Sequence, residues 1–278
     1  MYGDVFMIRK LYPYGKKKAF NVTYDDGVLQ DVRFVGLLNK YKLKGTFNLN
    51  SKLMEDEFQW THNCGLVVTR LKVDDVISLY EGHEVASHTK THPFMEELTK
   101  EAILCQLSED KANLEKIFGY EIKGFAVPFH YYSDLIEECV KECGFEYGRI
   151  SEESLSFAPQ NNYYRWKATI FHSIDKLDNM IAEFVKTEEE LALFQIVGHS
   201  YDLDVDNRWE HMENIFDVIS QQKDILPMTT IQIVEYFKAM DKAEITDKSI
   251  YNKSDISLWF NINNHICEVK PNEEIIYV

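Results

Sequence analysis

Two polar clusters in this 278-residue chain contain the residue types that bind metals and transfer protons. The stretch TYDDG places Asp25 and Asp26 side by side after an apolar run, and HEVASHTKTH contains His83, His88 and His92. Imidazole and carboxylate groups are common ligands of catalytic metal ions and also act as general acids and bases. The sequence therefore indicates a candidate metal-dependent active site.

His88 and His92 have a spacing that places two imidazoles on one side of a helix, or of a turn after a strand. With one carboxylate they make a set of two histidines and one acid, which leaves open metal positions for water and a substrate oxygen. We predict that Asp26 is the third ligand and that Asp25 is the general base, because neighbouring buried carboxylates repel unless one binds a cation. Zn²⁺ in such a site acidifies water and polarises a carbonyl. Taken alone, Asp-Asp-Gly would be more typical of an exposed turn.

His199 is a further candidate, because it follows the apolar run of residues 191–197. A histidine that is not needed as a ligand is suited to protonate a leaving group, so we predict that His199 is the general acid. Taken alone, it would more often be a structural histidine.

The segments between these clusters alternate between short apolar strands and amphipathic helices. Such an alternation predicts a parallel sheet, and six or seven units in about 240 residues favour a barrel over an open sheet. The candidate residues all follow the carboxyl ends of predicted strands, where a barrel collects its active site. Residues 1–240 are therefore predicted to form an α/β barrel. Residues 241–278, with apolar alternation around Asn263-Asn264, are predicted to form a small C-terminal β appendage packed on it.

The charge of the chain excludes some partners. Its 30 basic and 46 acidic residues give a formal charge of −16, which repels a phosphate backbone, so no nucleic-acid partner is expected. The N-terminal stretch MYGDVFMIRKLYPYGKKK contains no apolar run long enough for a signal peptide, and no segment approaches the length of a membrane span. The five cysteines form no regular framework. These features predict a cytoplasmic protein with no membrane partner.

Four motifs in this order, TYDDG, HEVASHTKTH, GFAVPF and VGHSYD, resemble the polysaccharide deacetylase family, which is carbohydrate esterase family four or the NodB-homology domain. The resemblance covers about residues 19–240 and implies a distorted (β/α)₇ barrel. It implies metal-dependent removal of acetyl groups from N-acetylated or O-acetylated sugars. By this resemblance Asp25 is the general base and His199 the general acid. The metal ligands that it implies are Asp26, His88 and His92, while His83 matches a position that is not a ligand.

The resemblance also implies an oxyanion donor, the backbone N–H of Phe129 in AVPF. The third motif of the family usually begins with an arginine that holds the catalytic aspartate, whereas this chain has Ala126 there. Arg149, in the strand YGRIS, could reach the same barrel mouth and replace that arginine. This replacement is a hypothesis.

The fourth motif of the family, an acid that orients the catalytic histidine with a tryptophan nearby, has no clear match. Asp175, Asp202 and Asp204 are candidates for the acid, and Trp166 is the candidate for the aromatic residue. The ending GHSYDLD also differs from the commoner form, which predicts a specialised leaving-group side.

The resulting prediction is a carbohydrate deacetylase that acts on an acetylated oligo- or polysaccharide. It is predicted to use a divalent metal ion, with Zn²⁺ as the first candidate. Two alternatives stay open. One is a hydrolase of small cyclic or linear non-peptide amides on the same fold. The other is a catalytically inactive carbohydrate-binding domain, which the loss of the motif arginine favours and the retained polar residues oppose. The sequence predicts neither the substrate nor the oligomeric state.

Overall fold

The structure, a computed structural model, describes residues 7–277. Its strands in this range are β1 (Ile8–Leu11), β2 (Lys18–Asp25), β3 (Gly45–Leu49), β4 (Gln59–Thr61), β5 (Val67–Thr69), β6 (Glu84–Ser87), β7 (Gly124–Ala126), β8 (Tyr147–Glu153), β9 (Trp166–Ala168), β10 (Ile170–Phe171), β11 (Ala192–Gly198), β12 (Ile225–Pro227), β13 (Glu244–Ile245), β14 (Ser249–Tyr251), β15 (Leu258–Ile262), β16 (His265–Val269) and β17 (Glu274–Ile276). The α-helices are α1 (Asp31–Lys40), α2 (Ser51–Glu55), α3 (Val73–Leu79), α4 (Lys100–Phe118), α5 (Asp134–Glu142), α6 (Leu177–Lys186), α7 (Asp202–Val205), α8 (Trp209–Ser220) and α9 (Thr230–Asp241). No helix among the described residues is long and apolar enough to cross a membrane.

The centre of the molecule is a ring of parallel strands in the order β2, β3, β6, β7, β8, β9/β10 and β11. β9 pairs with β8 and β10 pairs with β11, and only Thr169 separates β9 from β10. β11 then pairs with β2, which closes the ring. A short additional strand, β12, pairs with the first residues of β2. The predicted distorted (β/α)₇ barrel is therefore confirmed.

Local sequence signals explain the main elements. Every residue of β2 is buried, as expected for a parallel strand covered on both faces. The long helix α4 begins at the cap residue Thr99, whose side chain accepts a hydrogen bond from the Ala102 N–H. It ends at Gly119, which has a φ of 75° and donates to the Glu115 carbonyl. These two caps fix where α4 begins and ends.

A polar network fills the amino-terminal end of the barrel, opposite the candidate site. Glu84, the first residue of β6, accepts hydrogen bonds from the Thr46 and Tyr147 hydroxyls and from the Ile231 N–H. Burial raises the pKa of Glu84 to about 7, and these three donors only partly offset that rise. The network ties β3, β6 and β8 to the first turn of α9.

The C-terminal segment forms the predicted β appendage. β15 and β16 make a hairpin whose turn residues, Asn263 and Asn264, have φ of 49° and 67°, as two-residue hairpin turns require. β1 adds to this hairpin as an antiparallel neighbour of β15, so the sheet also includes a strand from the start of the chain. A second small sheet joins β13, β14 and β17. Residues 1–6 and 278 of the predicted domains lie outside the described residues.

Candidate active site

Three predicted ligands meet at the carboxyl end of the barrel. Asp26 follows β2 and His88 follows β6, and His92 lies in the turn after His88. One potential donor atom from each lies within 4.8 Å of the other two, and His92 Nε2 is 3.7 Å from Asp26 Oδ1. Asp26 and His88 are buried, while His92 is partly exposed. No other such group of histidine, cysteine and acidic residues occurs within residues 7–277.

The protonation states of this cluster suit a cation. His88 Nδ1 lies 2.8 Å from the Ala126 carbonyl oxygen, so that Nδ1–H donates there and Nε2 is left for the site. Burial lowers the pKa of His88 to about 3 and also lowers the pKa of His92, so both imidazoles are neutral near pH 7. Burial opposes ionisation of Asp26, but the Arg70 guanidinium and the nearby histidines hold its pKa well below the usual range. Asp26 Oδ1 is buried and accepts no aligned hydrogen bond, and its close charged partner is Arg70 Nη1 at 2.9 Å.

Asp25, the last residue of β2, is held by two donors. Arg149 Nη2 lies 2.5 Å from Asp25 Oδ2 and also donates to Oδ1, and Asn48 Nδ2 is 2.7 Å from Oδ1. Although burial opposes it, Arg149 lowers the pKa of Asp25 and keeps the carboxylate ionised. Asp25 Oδ2 also lies 4.0 Å from His88 Nε2, which places the predicted base beside the predicted ligands.

His199 follows β11 and is oriented by an acid three residues later. His199 Nδ1 lies 2.9 Å from Asp202 Oδ2. Burial alone would lower the pKa of His199. The hydrogen bond to Asp202 and the charges of Asp26 and Asp25 outweigh this effect, so the resulting pKa is about 9. The imidazole is therefore protonated at neutral pH, as a proton donor must be.

The remaining predicted residues are distributed more widely. Asp175 is exposed, and Asp204 accepts hydrogen bonds from Trp209 Nε1 and Gln30 Nε2 rather than contacting His199. Trp166 begins β9, and its Nε1–H donates to Gln195 in the barrel interior, where its ring packs against Phe237. The structure thus brings Asp202 to His199, but not Asp175, Asp204 or Trp166.

Phe129 lies on the rim of the site in the loop after β7. Its φ is 56°, and its ring centroid lies 4.5 Å from that of His92 and 4.1 Å from that of Phe94. No residue of the described part of the chain accepts a hydrogen bond from its backbone N–H. That donor is therefore available to an oxygen atom bound near His92.

His83 precedes β6 and so lies at the opposite end of this strand from His88. His83 Nδ1 accepts a hydrogen bond from the Gly45 N–H, and Nε2 lies 3.2 Å from Asn39 Oδ1. These contacts agree with the structural role expected for it.

Sequence reasoning missed three residues of the site. Arg70, which follows β5, pairs with Asp26 Oδ1 at 2.9 Å and also donates to the Asp26 carbonyl. Asn48 lies within β3, and His172, which follows β10, lies 3.5 Å from Asp202 Oδ2. In the sequence, each of these three residues is recognisable only as a polar residue within or directly after an apolar strand. Such a pattern does not show which side chain the residue contacts in the folded protein.

An aromatic wall stands beside His199. The Tyr201 ring stacks on His199 with centroids 5.0 Å apart, and the Trp60 ring meets Tyr201 edge-on at 5.5 Å. The His62 ring lies 6.2 Å from Tyr201, and the Arg70 guanidinium lies 5.1 Å from the Trp60 ring centroid. The β4–β5 hairpin thus borders the leaving-group side predicted from the sequence.

Comparison with known proteins identifies chains that are similar to this one. Residues 13–148 match the family model described as polysaccharide deacetylase. The uncharacterised protein YlxY of Bacillus subtilis is 29% identical over 108 residues, which is 39% of this chain and 29% of that protein. The chain therefore spans less than a third of this curated relative.

Two solved structures share the fold. A candidate polysaccharide deacetylase from Mycobacterium smegmatis has a TM-score of 0.62 and 16% identity, over 84% of this chain and 94% of that one. A mutant of the peptidoglycan deacetylase PdaC from Bacillus subtilis has a TM-score of 0.53 and 17% identity, over 81% of this chain and 94% of that one. At these identities the likeness is one of fold.

Proposed function

We propose that this chain is a member of the polysaccharide deacetylase family and a hydrolase that removes acetyl groups from acetylated carbohydrate with a divalent metal ion, with Zn²⁺ as the first candidate. The match of residues 13–148 to the family model supports this proposal. The observation that carries this proposal is the convergence of Asp26, His88 and His92 within 4.8 Å of one another, beside Asp25. A proton acceptor, a proton donor and a set of metal donors thus meet at one end of the barrel.

Asp26, His88 and His92 would hold the metal. Two neutral imidazoles and one ionised carboxylate are a donor set of catalytic zinc sites. When bound, such an ion acidifies a water molecule and polarises the substrate carbonyl. The Ala126 carbonyl fixes the His88 tautomer that this role requires, since it accepts a hydrogen bond from Nδ1–H.

Asp25 is assigned as the base that takes a proton from the attacking water. Its carboxylate is ionised and is fixed by Arg149 and Asn48, so it enters the reaction already oriented. Arg149 would thereby supply what the missing motif arginine supplies in the family. The ion pair is buried, so removal of Arg149 would leave Asp25 both misplaced and uncompensated.

His199 is assigned as the acid. As water adds to the acetamide carbon and the carbon–nitrogen bond breaks, His199 Nε2–H passes its proton to the departing amine, and acetate is the second product. Asp202 holds Nδ1, so Nε2 points toward the substrate. The Phe129 N–H is assigned as a donor to the oxyanion that forms on the acetyl oxygen.

The substrate side rests on aromatic rings. Phe94 and Phe129 are exposed and stacked on one rim of the site, and Trp60 with Tyr201 lies on the other. Aromatic faces pack against the apolar faces of sugar rings, which supports an acetylated oligosaccharide as the substrate. Within this class we propose an N-acetylated substrate on the resemblance to the family alone. A cytoplasmic location and the absence of nucleic-acid and membrane partners stay predictions.

A substrate panel tests the proposal. Purified zinc-loaded protein is incubated with N-acetylated chito-oligosaccharides, with O-acetylated xylo-oligosaccharides and with cyclic amides such as hydantoin. We expect acetate release from the first class above the other two. Ring opening of the cyclic amides without acetate release from either carbohydrate would contradict it and would favour the small-amide alternative.

A further inference from the structure

A buried line of polar side chains runs from His199 into the barrel wall. Asp202 Oδ2 lies 2.9 Å from His199 Nδ1 and 3.5 Å from His172 Nε2. On its other side, His172 Nδ1 lies 2.7 Å from the Tyr24 hydroxyl. Tyr24, near the end of β2, and His172 are both buried, so this line of side chains leads from the site into the protein core.

The geometry fixes the hydrogen positions along this line. His172 Nε2 faces the Asp202 carboxylate, which can only accept a hydrogen bond, so the proton of the neutral imidazole lies on Nε2. Nδ1 is then an acceptor, and the Tyr24 hydroxyl donates a hydrogen bond to it at 2.7 Å. Burial lowers the pKa of His172 and so keeps its imidazole neutral. That Nε2–H faces Asp202, and it has no aligned hydrogen bond among the described residues. At 3.5 Å the contact is long, as contacts in catalytic sites often are in the absence of substrate.

The backbone makes room for this ring. A Cβ atom at Gly198 would lie 2.2 Å from His172 Nδ1, so only glycine allows the imidazole to approach β11 this closely. Gly198 directly precedes His199. The His172 ring, which faces Asp202, therefore requires glycine at position 198, directly before the predicted general acid His199.

We propose that His172 is a positioning residue for proton donation by His199, and that it acts through Asp202. Asp202 begins the short helix α7, and its side chain is 19% exposed, so a single imidazole would leave the carboxylate free to turn toward solvent. A second N–H donor on the same oxygen holds it in the plane that His199 needs. Tyr24 fixes the His172 tautomer that can donate. This inference rests on the proposed function.

Two substitutions of His172 separate positioning from general structure. The amide of glutamine can place an N–H where Nε2 lies, whereas the shorter asparagine reaches only the Nδ1 position. Two substrates separate the acid step from the rest: an N-acetylated chito-oligosaccharide, whose amine must be protonated to leave, and 4-nitrophenyl acetate, whose nitrophenolate leaves without a proton. The comparison is the ratio of kcat on the two substrates for zinc-loaded protein.

We expect His172→Asn to lower kcat on the oligosaccharide about 10- to 100-fold with little change in KM, and to lower ester turnover less than about threefold. We expect His172→Gln to recover most of the loss. Tyr24→Phe, which keeps the ring and removes only the hydroxyl, should lower amide turnover several-fold in the same selective way. His211→Asn, which breaks an exposed His–Asp pair of 2.6 Å between α8 and α6, should change neither activity.

Equal losses on both substrates, or unchanged amide turnover in both His172→Asn and Tyr24→Phe, would overturn the role of His172. The failure of the proposed function itself looks different, because the unsubstituted zinc-loaded protein would then release no acetate from the oligosaccharide. Equal thermal unfolding midpoints of the Tyr24→Phe and unsubstituted proteins exclude a folding defect as the cause of a selective loss.

Discussion

Ala126 and Arg149 are register partners on the adjacent parallel strands β7 and β8, and from that position the Arg149 guanidinium reaches Asp25. Side chains at paired positions of parallel strands point to the same face of the sheet. An arginine at position 126, as the family motif usually has, would therefore start from the neighbouring strand and enter the same space. In this chain the cation beside the predicted base comes from β8, from the position paired with Ala126 of β7.

Arg149→Ala should lower kcat about 100-fold, because Asp25 would lose both its orientation and its counter-charge in a buried site. The double variant with Ala126→Arg should recover part of that activity, since the new guanidinium lies on the adjacent strand. Steady-state acetate release measures both variants. Arg165→Ala, which removes a partly exposed arginine paired with Asp134 and Glu137, serves as the control. Full activity in Arg149→Ala would rule out this role.

The HEVASHTKTH stretch contains its own control for metal binding. His88→Ala and His92→Ala should each reduce bound zinc from about one ion per chain to a small fraction, because each removes one of three ligands. His83→Ala should keep the full amount, since His83 lies at the opposite end of β6. Elemental analysis of the purified variants after zinc loading and desalting measures this. Equal zinc in the His83 and His88 variants would exclude the assigned site.

Asp202 and Asp175 give a matched pair for the orienting acid. In the metal-free protein, Asp202→Asn should lower the pKa of His199 from about 9 by about one unit or more, because it removes the anionic hydrogen-bond partner. Asp175→Asn should leave that pKa unchanged, since Asp175 is exposed and does not contact the imidazole. Titration of the His199 imidazole signals by nuclear magnetic resonance measures both. A shift produced by Asp175→Asn alone would reverse the assignment.

Glu84 predicts a pH dependence of stability. The pKa of the Glu84 carboxyl is about 7 in the folded protein, whereas the ordinary pKa of a glutamate is 4.5. At pH values between 4.5 and about 7, the unfolded chain therefore releases a proton from Glu84 that the folded chain keeps. This contribution to stability is thus complete below pH 4.5 and is lost as the pH rises through about 7. The free energy of unfolding should fall by an amount on the order of 3 kcal/mol between pH 5 and pH 8, relative to Glu84→Gln. Urea unfolding at both pH values measures this, and parallel pH profiles for the two proteins would contradict it.

The positions of the candidate residues could be predicted from the sequence because one physical rule connects them. Asp26, His88 and His199 each follow a buried apolar run, and the carboxyl ends of parallel strands converge on one end of a barrel. The hairpin at Asn263-Asn264 could also be predicted from the sequence, because asparagine tolerates the positive φ that both turn residues adopt.

The supporting residues could not be predicted in this way. Arg70 reaches Asp26 from the β4–β5 hairpin, and His172 reaches Asp202 from β10, so both depend on contacts between distant elements. The sequence suggested Trp166 as a neighbour of the acid. However, Trp166 begins β9, whereas Phe171, at the end of β10, lies beside His199, with ring centroids 5.9 Å apart. A local pattern indicates that a residue lies on a strand, but it does not identify the side chain opposite.

The central claim is that Asp25 and a metal held by Asp26, His88 and His92 together release acetate from carbohydrate. The most direct measurement is acetate release from an N-acetylated chito-oligosaccharide by three samples: protein treated with a chelator, the same protein after addition of Zn²⁺, and Asp25→Asn protein with the same zinc content. We predict release only in the second sample. Acetate release that survives the chelator, or full release by the zinc-loaded Asp25→Asn protein, would contradict the mechanism, and no release by zinc-loaded unsubstituted protein would contradict the activity.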